Sequence, residues 1–137
     1  IENHIVVLGY GSLGQQICKN LKKKGLYYVA IDNNRKLLGT SKENMDPFIL
    51  GNAIQQHILL NANVKNATAV IIAVEDDEDS IRMVESIFHI SPTVNIVVSS
   101  KNDNSVLIHD KRIRSFIHEH KEVADSMVYH ALTCNIK

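Results

Sequence analysis

Short apolar runs alternate along the chain with longer stretches in which apolar residues recur at helical spacing. The runs are HIVVL (4–8), YYVAI (27–31), PFIL (47–50), AVIIAV (69–74) and VNIVV (94–98), with SFIH (115–118) as a weaker sixth. They are rich in β-branched residues and nearly continuous in apolar character, the pattern of strands covered on both faces. Between the first two, Leu13, Ile17 and Leu21 recur every four residues and Gly25 follows as a stop, which predicts a helix. Ile81, Val84 and Ile87 or Phe88 mark another, opened by the acidic EDDEDS segment that suits a helix N-terminus and closed before Pro92. Val123, Ala124, Met127, Val128, Ala131 and Leu132 lay an apolar stripe near the end. Segments 34–44 and 53–62 read as weaker helices, and the GTSKEN run argues against the tail of the first. Strands alternating with helices predict an α/β fold, a doubly wound parallel sheet of about six strands with helices on both faces and right-handed crossovers.

Size and composition narrow what such a sheet could do. The 137 residues fit a single domain spanning 1–137, and a hydrophobic content of 45% without low-complexity runs makes it globular. Acidic and basic residues balance at 15 each, and no basic cluster exceeds Lys22, Lys23 and Lys24, which argues against a nucleic-acid partner. Those lysines read as a solvated helix end favourable to the dipole. Cys18 and Cys134 lie far apart, outside any CxxC spacing, as reduced thiols of a cytosolic protein do. The longest apolar run, TAVIIAV, is far below the roughly 18 residues of a membrane helix, so the domain itself is expected to be soluble. The sequence opens on Ile1 rather than Met, as a piece of a longer or processed chain would.

Gly9, Gly11 and Gly14 form a G-x-G-x-x-G pattern directly after the first strand and at the opening of the first helix. That context is what the motif needs to carry meaning. Gly9 permits the tight turn, Gly11 lets the backbone approach a pyrophosphate, and Gly14 lets the helix pack close to the strand, with the helix N-terminus facing the phosphates. Asp32, in VAIDNN, stands at the end of the second strand, where a carboxylate accepts hydrogen bonds from ribose hydroxyls and repels a 2′-phosphate. NAD or an adenine mononucleotide is therefore favoured over NADP. A glycine turn with a capping aspartate and no ligand is the alternative. With the motif in place, the expected sheet is Rossmann-like.

The residues GYGSLG, AIDNN, FILGNA and VKNATAVIIAVEDDEDSIRMVESI together resemble the RCK or KTN domains, also called TrkA-N domains, that regulate potassium channels and transporters. Within that family, AVEDDEDSIRMVE and IHEHKEVADSMVYHAL most resemble the cytosolic domains of Kef-type potassium/proton antiporters, Glu119 standing at their acid position. The resemblance implies a nucleotide site with Gly9, Tyr10, Gly11, Ser12, Leu13 and Gly14 at the phosphates and Asp32 with Asn33 at the adenosine ribose. Asn52 and Ala53 would lie by the adenine, Ala73 and Val74 over the end of the fourth strand. It implies NAD(H) as the cofactor, with AMP, ADP or ATP as the alternative. It further implies a homodimer coupled to a membrane-embedded transporter or channel portion, in the same chain or a partner, at the cytoplasmic face of the inner membrane. Alternatives are the same domain on a potassium channel or as a peripheral Trk or Ktr subunit. Three positions depart from the family pattern. Ser12 and Ser99 stand where arginines are common, and Asn52 replaces the usual aspartate.

Chemistry beyond binding finds little footing in the sequence. A dehydrogenase needs a further domain for its substrate, and this chain is almost all cofactor scaffold, so it is read as a non-enzyme; a cofactor-binding piece of a larger oxidoreductase is the alternative of another class. None of Tyr10, Tyr27, Tyr28 and Tyr129 has a lysine four residues later. His118 and His120 would share one face of a strand end, but two ligands fall short of a zinc site. Residues Glu75 to Asp79 lack the alternation and mid-loop glycine of a calcium loop and read as a helix cap on a solvated edge, so no metal site is expected. The terminal stripe fits either the domain's own core or a partner subunit, and the resemblance favours residues 121–137 packing on a partner.

Overall fold

The computed structural model describes residues 1–102, 104–118 and 123–133. Glu119, His120, Cys134 and the flanks 121–122 and 134–137 of the expected terminal helix lie outside them. The elements run β1 (Ile5–Leu8), α1 (Ser12–Lys23), β2 (Tyr28–Asp32), α2 (Leu37–Asn44), β3 (Phe48–Leu50), α3 (Gln56–Asn61), β4 (Ala69–Ile72), α4 (Asp77–Ile90), β5 (Asn95–Ser100), β6 (Ser115–His118) and α5 (Val123–Thr133). The sheet has six strands in the order β3-β2-β1-β4-β5-β6. Every pairing is parallel, with Val7 opposite Ala30 on one side and Ile71 on the other.

Because side chains alternate along each strand, one strand feeds two cores. Ile5, Val7, Tyr28, Ala30, Ile71 and Val97 face α1 and α5, packing with Ile17, Leu21, Met127 and Val128. Val6, Leu8, Ile31, Ile72 and Ile96 face α3 and α4, packing with Leu59, Val84 and Ile87. The continuous apolar runs of β1 and β4 are thus the signature of strands covered on both faces, and each fully buried Val, Leu or Ile contributes about 1.5–3 kcal/mol.

Several boundaries differ from the expected ones for local reasons. β4 ends at Ile72, and Ala73 and Val74 leave the ladder after the Ala73 N–H donates to the Leu8 carbonyl at 2.7 Å. β5 continues to Ser100, polar residues notwithstanding, because β6 pairs Ser99 with Ile117 and Ser100 with His118. α2 runs through the GTSKEN segment: Ser41 is buried, its hydroxyl donates to the Leu38 carbonyl at 2.7 Å, and Met45 ends the helix at φ 60°. α3 begins only at Gln56. Two short 3-10 turns, Val64–Asn66 and Val106–His109, carry no pattern that predicts them.

Most of the terminal stripe packs in the chain's own core. Val123, Ala124, Met127, Val128 and Ala131 are buried beneath α5 against α1, β4, β5 and β6, whereas Leu132 is 39% exposed. Asn95, the first residue of β5, closes the far end of this helix by donating its amide to the carbonyls of His130 and Ala131 at 3.4 and 3.3 Å. The Asn20 amide donates to the Asp125 carboxylate and ties α5 to α1. Among the described residues no helix is long and apolar enough to cross a membrane.

Candidate functional site

β1 lies between β2 and β4, so the chain winds outward in opposite directions on its two sides, and a crevice opens at the carboxyl ends of the strands where ligands bind in such sheets. A cavity of about 830 Å³ occupies this position, lined by Gly9, Gly11, Ser12, Leu13, Asp32, Ala73 and Val74 among others. Its volume is that of a small-molecule site. A smaller adjoining cavity of about 160 Å³ shares Gly9, Asp32 and Val74 and adds Asn33, Asn52 and Ala53. Ten of the twelve expected site residues therefore converge on one opening. Tyr10 and Gly14 do not line it, for reasons their geometry makes plain.

The three glycines are needed for three different reasons. Gly9 has φ +104°, and a Cβ there would sit 2.5 Å from the Ala73 carbonyl oxygen. A Cβ on Gly14 would lie 1.9 Å from the Gly9 carbonyl oxygen, so its absence is what allows α1 to start against the turn. Gly11 has φ −73°, and nothing lies within 4 Å of the Cβ it lacks. Protein packing explains the first two glycines; at Gly11 the space is open to the crevice. Gly11 also caps α1 without any side-chain hydrogen bond, so first-turn amides face the opening.

Asp32 closes this turn from the side. Its Oδ2 accepts from the Tyr10 main-chain N–H at 2.8 Å and its Oδ1 from that of Asn34 at 2.9 Å. Each carboxylate oxygen keeps a second lone pair for a hydroxyl donor. The Tyr10 side chain points the other way, fully buried under the turn, with its ring 5.4 Å from that of Phe48 and its hydroxyl donating to Asp46. Asn52 turns its Oδ1 back to the Ile54 N–H at 2.9 Å, a local turn that fixes the loop after β3.

Residues of the helix-capping acidic run complete the rim. Glu75, Asp76 and Asp79 line the main cavity opposite the glycine turn, and Lys101 joins them. Asp76 is the N-cap of α4, its side chain accepting from the Glu78 N–H at 2.8 Å, so the expected capping role holds. Asp77 accepts from the Ser100 hydroxyl at 3.0 Å. Lys101 and Glu75 form an exposed pair at 3.6 Å, of the kind that contributes little to stability. With Asp32, four carboxylates face one ammonium around the crevice. The rim position of this run follows from the pairing of β4 with β1, which places it beside the strand that carries the glycine turn.

Lys22 is more than a solvated helix end, since its Nζ lies 3.2 Å from the buried Asp46 carboxylate and donates to the Asn44 carbonyl at 2.5 Å. His4 is buried and bonds through Nε2 to the Ala62 carbonyl at 2.8 Å, and the His130 ring bonds the Ser126 carbonyl. Among the described residues no group of three or more His, Cys, Asp or Glu could hold a metal ion.

Fold and crevice define a doubly wound α/β domain with a glycine-turn opening at its switch point. The chain belongs to the TrkA-N domain family, whose model matches residues 5–118. Potassium channel protein 1 of Methanocaldococcus jannaschii is 30% identical over 118 residues, which cover 84% of this chain and 34% of that protein. The chain thus spans about a third of that relative's length. The TrkA-N domain of inner membrane protein YbaL from Escherichia coli superposes with a TM-score of 0.80 at 23% identity, covering 94% of this chain and 96% of that one. The GsuK channel bound to NAD gives a TM-score of 0.76 at 14% identity over 85% of this chain and 21% of that one. The Kef CTD of Shewanella denitrificans in AMP-bound form gives 0.72 at 21% identity over 96% and 80%. At these identities the structural likenesses establish a shared fold.

Proposed function

We propose that this chain is a nucleotide-sensing regulatory domain of a potassium transport protein and that the crevice holds NAD(H) or an adenine mononucleotide. The observation that carries this reading is the open space at Gly11 beside Asp32, at the one edge of the sheet where both halves of the fold meet. The donor set fits such a ligand. Amides at the start of α1 suit phosphate oxygens, and Asp32 suits two ribose hydroxyls while repelling a 2′-phosphate. Asn33, Asn52 and Ala53 form the side cavity that would take the adenine.

A sensing role needs no bond-breaking step. It needs two arrangements of the protein with different affinities for the oxidised and reduced, or differently phosphorylated, ligand; equal affinities would shift nothing. A potassium channel protein and a putative cation/proton antiporter, YbaL, among the relatives support placing the domain beside a membrane-embedded transport unit at the inner face of the membrane, and the YbaL and Kef likenesses support a Kef-type antiporter as that unit. A homodimer is the arrangement proposed for coupling it to a symmetric transporter.

Calorimetry with NAD, NADH, AMP, ADP and ATP on the wild type and on Asp32→Ala tests the ligand. Binding of at least one nucleotide that is lost in a folded Asp32→Ala variant is the expected result, and a wild type that binds none of the five refutes the reading. The number of membrane helices encoded upstream separates the settings: about a dozen for an antiporter, two for a channel, none for a peripheral subunit.

A further inference from the structure

Tyr10 sits between the second strand's carboxylate and a second, buried carboxylate that no binding motif includes. Every polar group of Tyr10 is engaged. Its N–H donates to Asp32, its carbonyl accepts from the Gln15 amide at 3.0 Å, and its hydroxyl donates to Asp46 while accepting from the Asn44 amide at 3.1 Å. The Asp46 side chain is 4% exposed, and its other oxygen accepts from the Tyr28 hydroxyl and faces the Lys22 ammonium at 3.2 Å. A carboxylate this deeply buried persists only when it is paired and hydrogen-bonded, and three donors from α1, β2 and the glycine turn serve it here. Burial, and next the Asp46 hydrogen bond, push both tyrosine hydroxyls well above their ordinary range, so they stay protonated donors.

We infer that Asp46 is a positioning residue for the nucleotide, holding the glycine turn in its binding geometry through the Tyr10 hydroxyl. This rests on the nucleotide reading given above. Asp46 itself touches no part of the crevice. It belongs to the turn between α2 and β3, fixed by its own N–H donating to the Ser41 carbonyl at 2.9 Å and preceded by the left-handed Met45. Tyr10 therefore clamps the glycine turn between two acids on separate segments: Asp32 holds the main chain from the crevice side, and Asp46 holds the side chain from below. Releasing the lower hold lets the turn tilt, which moves Gly11 and the first amides of α1 off the ligand by the fraction of an ångström that matters for a phosphate contact.

Two hydroxyls bond the same carboxylate, but only one of them belongs to the glycine turn, and the test uses this difference. Asp46→Ala, Tyr10→Phe, their double variant and Tyr28→Phe are compared with the wild type for NADH and AMP affinity by calorimetry, and for thermal midpoint, at a temperature where all are folded. The expected outcome is a loss of about tenfold in affinity for Asp46→Ala and for Tyr10→Phe, no further loss in the double variant, and an affinity within about twofold of wild type for Tyr28→Phe despite its lower midpoint. Should Asp46→Ala fail to fold, Tyr10→Phe, which keeps the ring on Phe48, decides alone against Tyr28→Phe. Wild-type affinity in Asp46→Ala or Tyr10→Phe overturns the inference by itself, as does an equal loss in Tyr28→Phe, which would mark a general weakening. A wild type that takes up neither probe, nor NAD, ADP or ATP, overturns the nucleotide reading, and this inference with it.

Discussion

The N–H of Tyr10 donates to Asp32 Oδ2 at 2.8 Å, so the acid expected to read a ribose is also the residue that ties the glycine turn to the end of β2. Binding and structure share one carboxylate, and substitutions there affect both.

Asp32→Asn separates the two shares. An amide offers one acceptor oxygen where the carboxylate offers two, so the Tyr10 or the Asn34 N–H loses its partner, at about 1–3 kcal/mol of stability. Urea denaturation is expected to show this loss without ligand, and calorimetry a weaker nucleotide affinity in protein that is still folded.

The glycines respond in opposite ways to alanine. Gly14→Ala places a methyl 1.9 Å from the Gly9 carbonyl and costs about 3 kcal/mol or more, because α1 cannot retreat without giving up its seat on the sheet. Gly11→Ala meets nothing and changes stability by about 1 kcal/mol at most, yet it projects a methyl into the crevice. Thermal melts and nucleotide titrations of the pair are expected to show one unstable protein and one stable protein with impaired binding.

Alkaline pH is expected to loosen the α1 side of the core. Burial, and secondarily Asp46, push the Cys18 thiol from 9.0 up to about 12, and the Tyr10 and Tyr28 hydroxyls rise above their ordinary 10.0. These groups are neutral when protonated and have raised values in the fold. Their contribution is thus complete below the unfolded values and is lost as pH climbs from about 9 toward the folded ones. Denaturation midpoints should fall over that window, and Tyr28→Phe, less stable at neutral pH, should show a shallower fall.

The acidic rim opposes phosphate, and its charge can be tuned. Asp76→Asn keeps an N-cap oxygen for the Glu78 N–H while removing one of four carboxylates, so nucleotide affinity should rise, most for ATP, with stability nearly unchanged. Ser12→Arg adds a cation at the first residue of α1, where the family often carries one, and should raise affinity in the same order. Titrations at low and high salt should show both gains shrinking with ionic strength.

The sheet, its crossovers and the crevice were legible because they rest on local patterns. Strand burial on both faces writes itself as continuous apolar runs, and the turn writes itself as Gly9 and Gly14, which no other residue can replace. What escaped the sequence was long-range and polar. Nothing near Asp46 signals that Tyr10, Tyr28 and Lys22 converge on it, because those partners come from 18 to 36 residues away. Tyr10 was assigned to the phosphates by its place in the motif, but its side-chain direction depends on a pocket formed by α2 and β3. The Glu75–Asp79 run was legible as a helix start, whereas its place on the crevice rim required knowing that β4 neighbours β1.

α5 has one further consequence. Its first described residue, Val123, lines the crevice at the carboxyl edge of the sheet, and its last turn is held by Asn95 at the opposite edge. Its 11 residues make a rod about 16 Å long that is seated along its whole length. One unbroken helix therefore joins the crevice rim to the opposite end of the sheet, and both of its ends are tied to the same core.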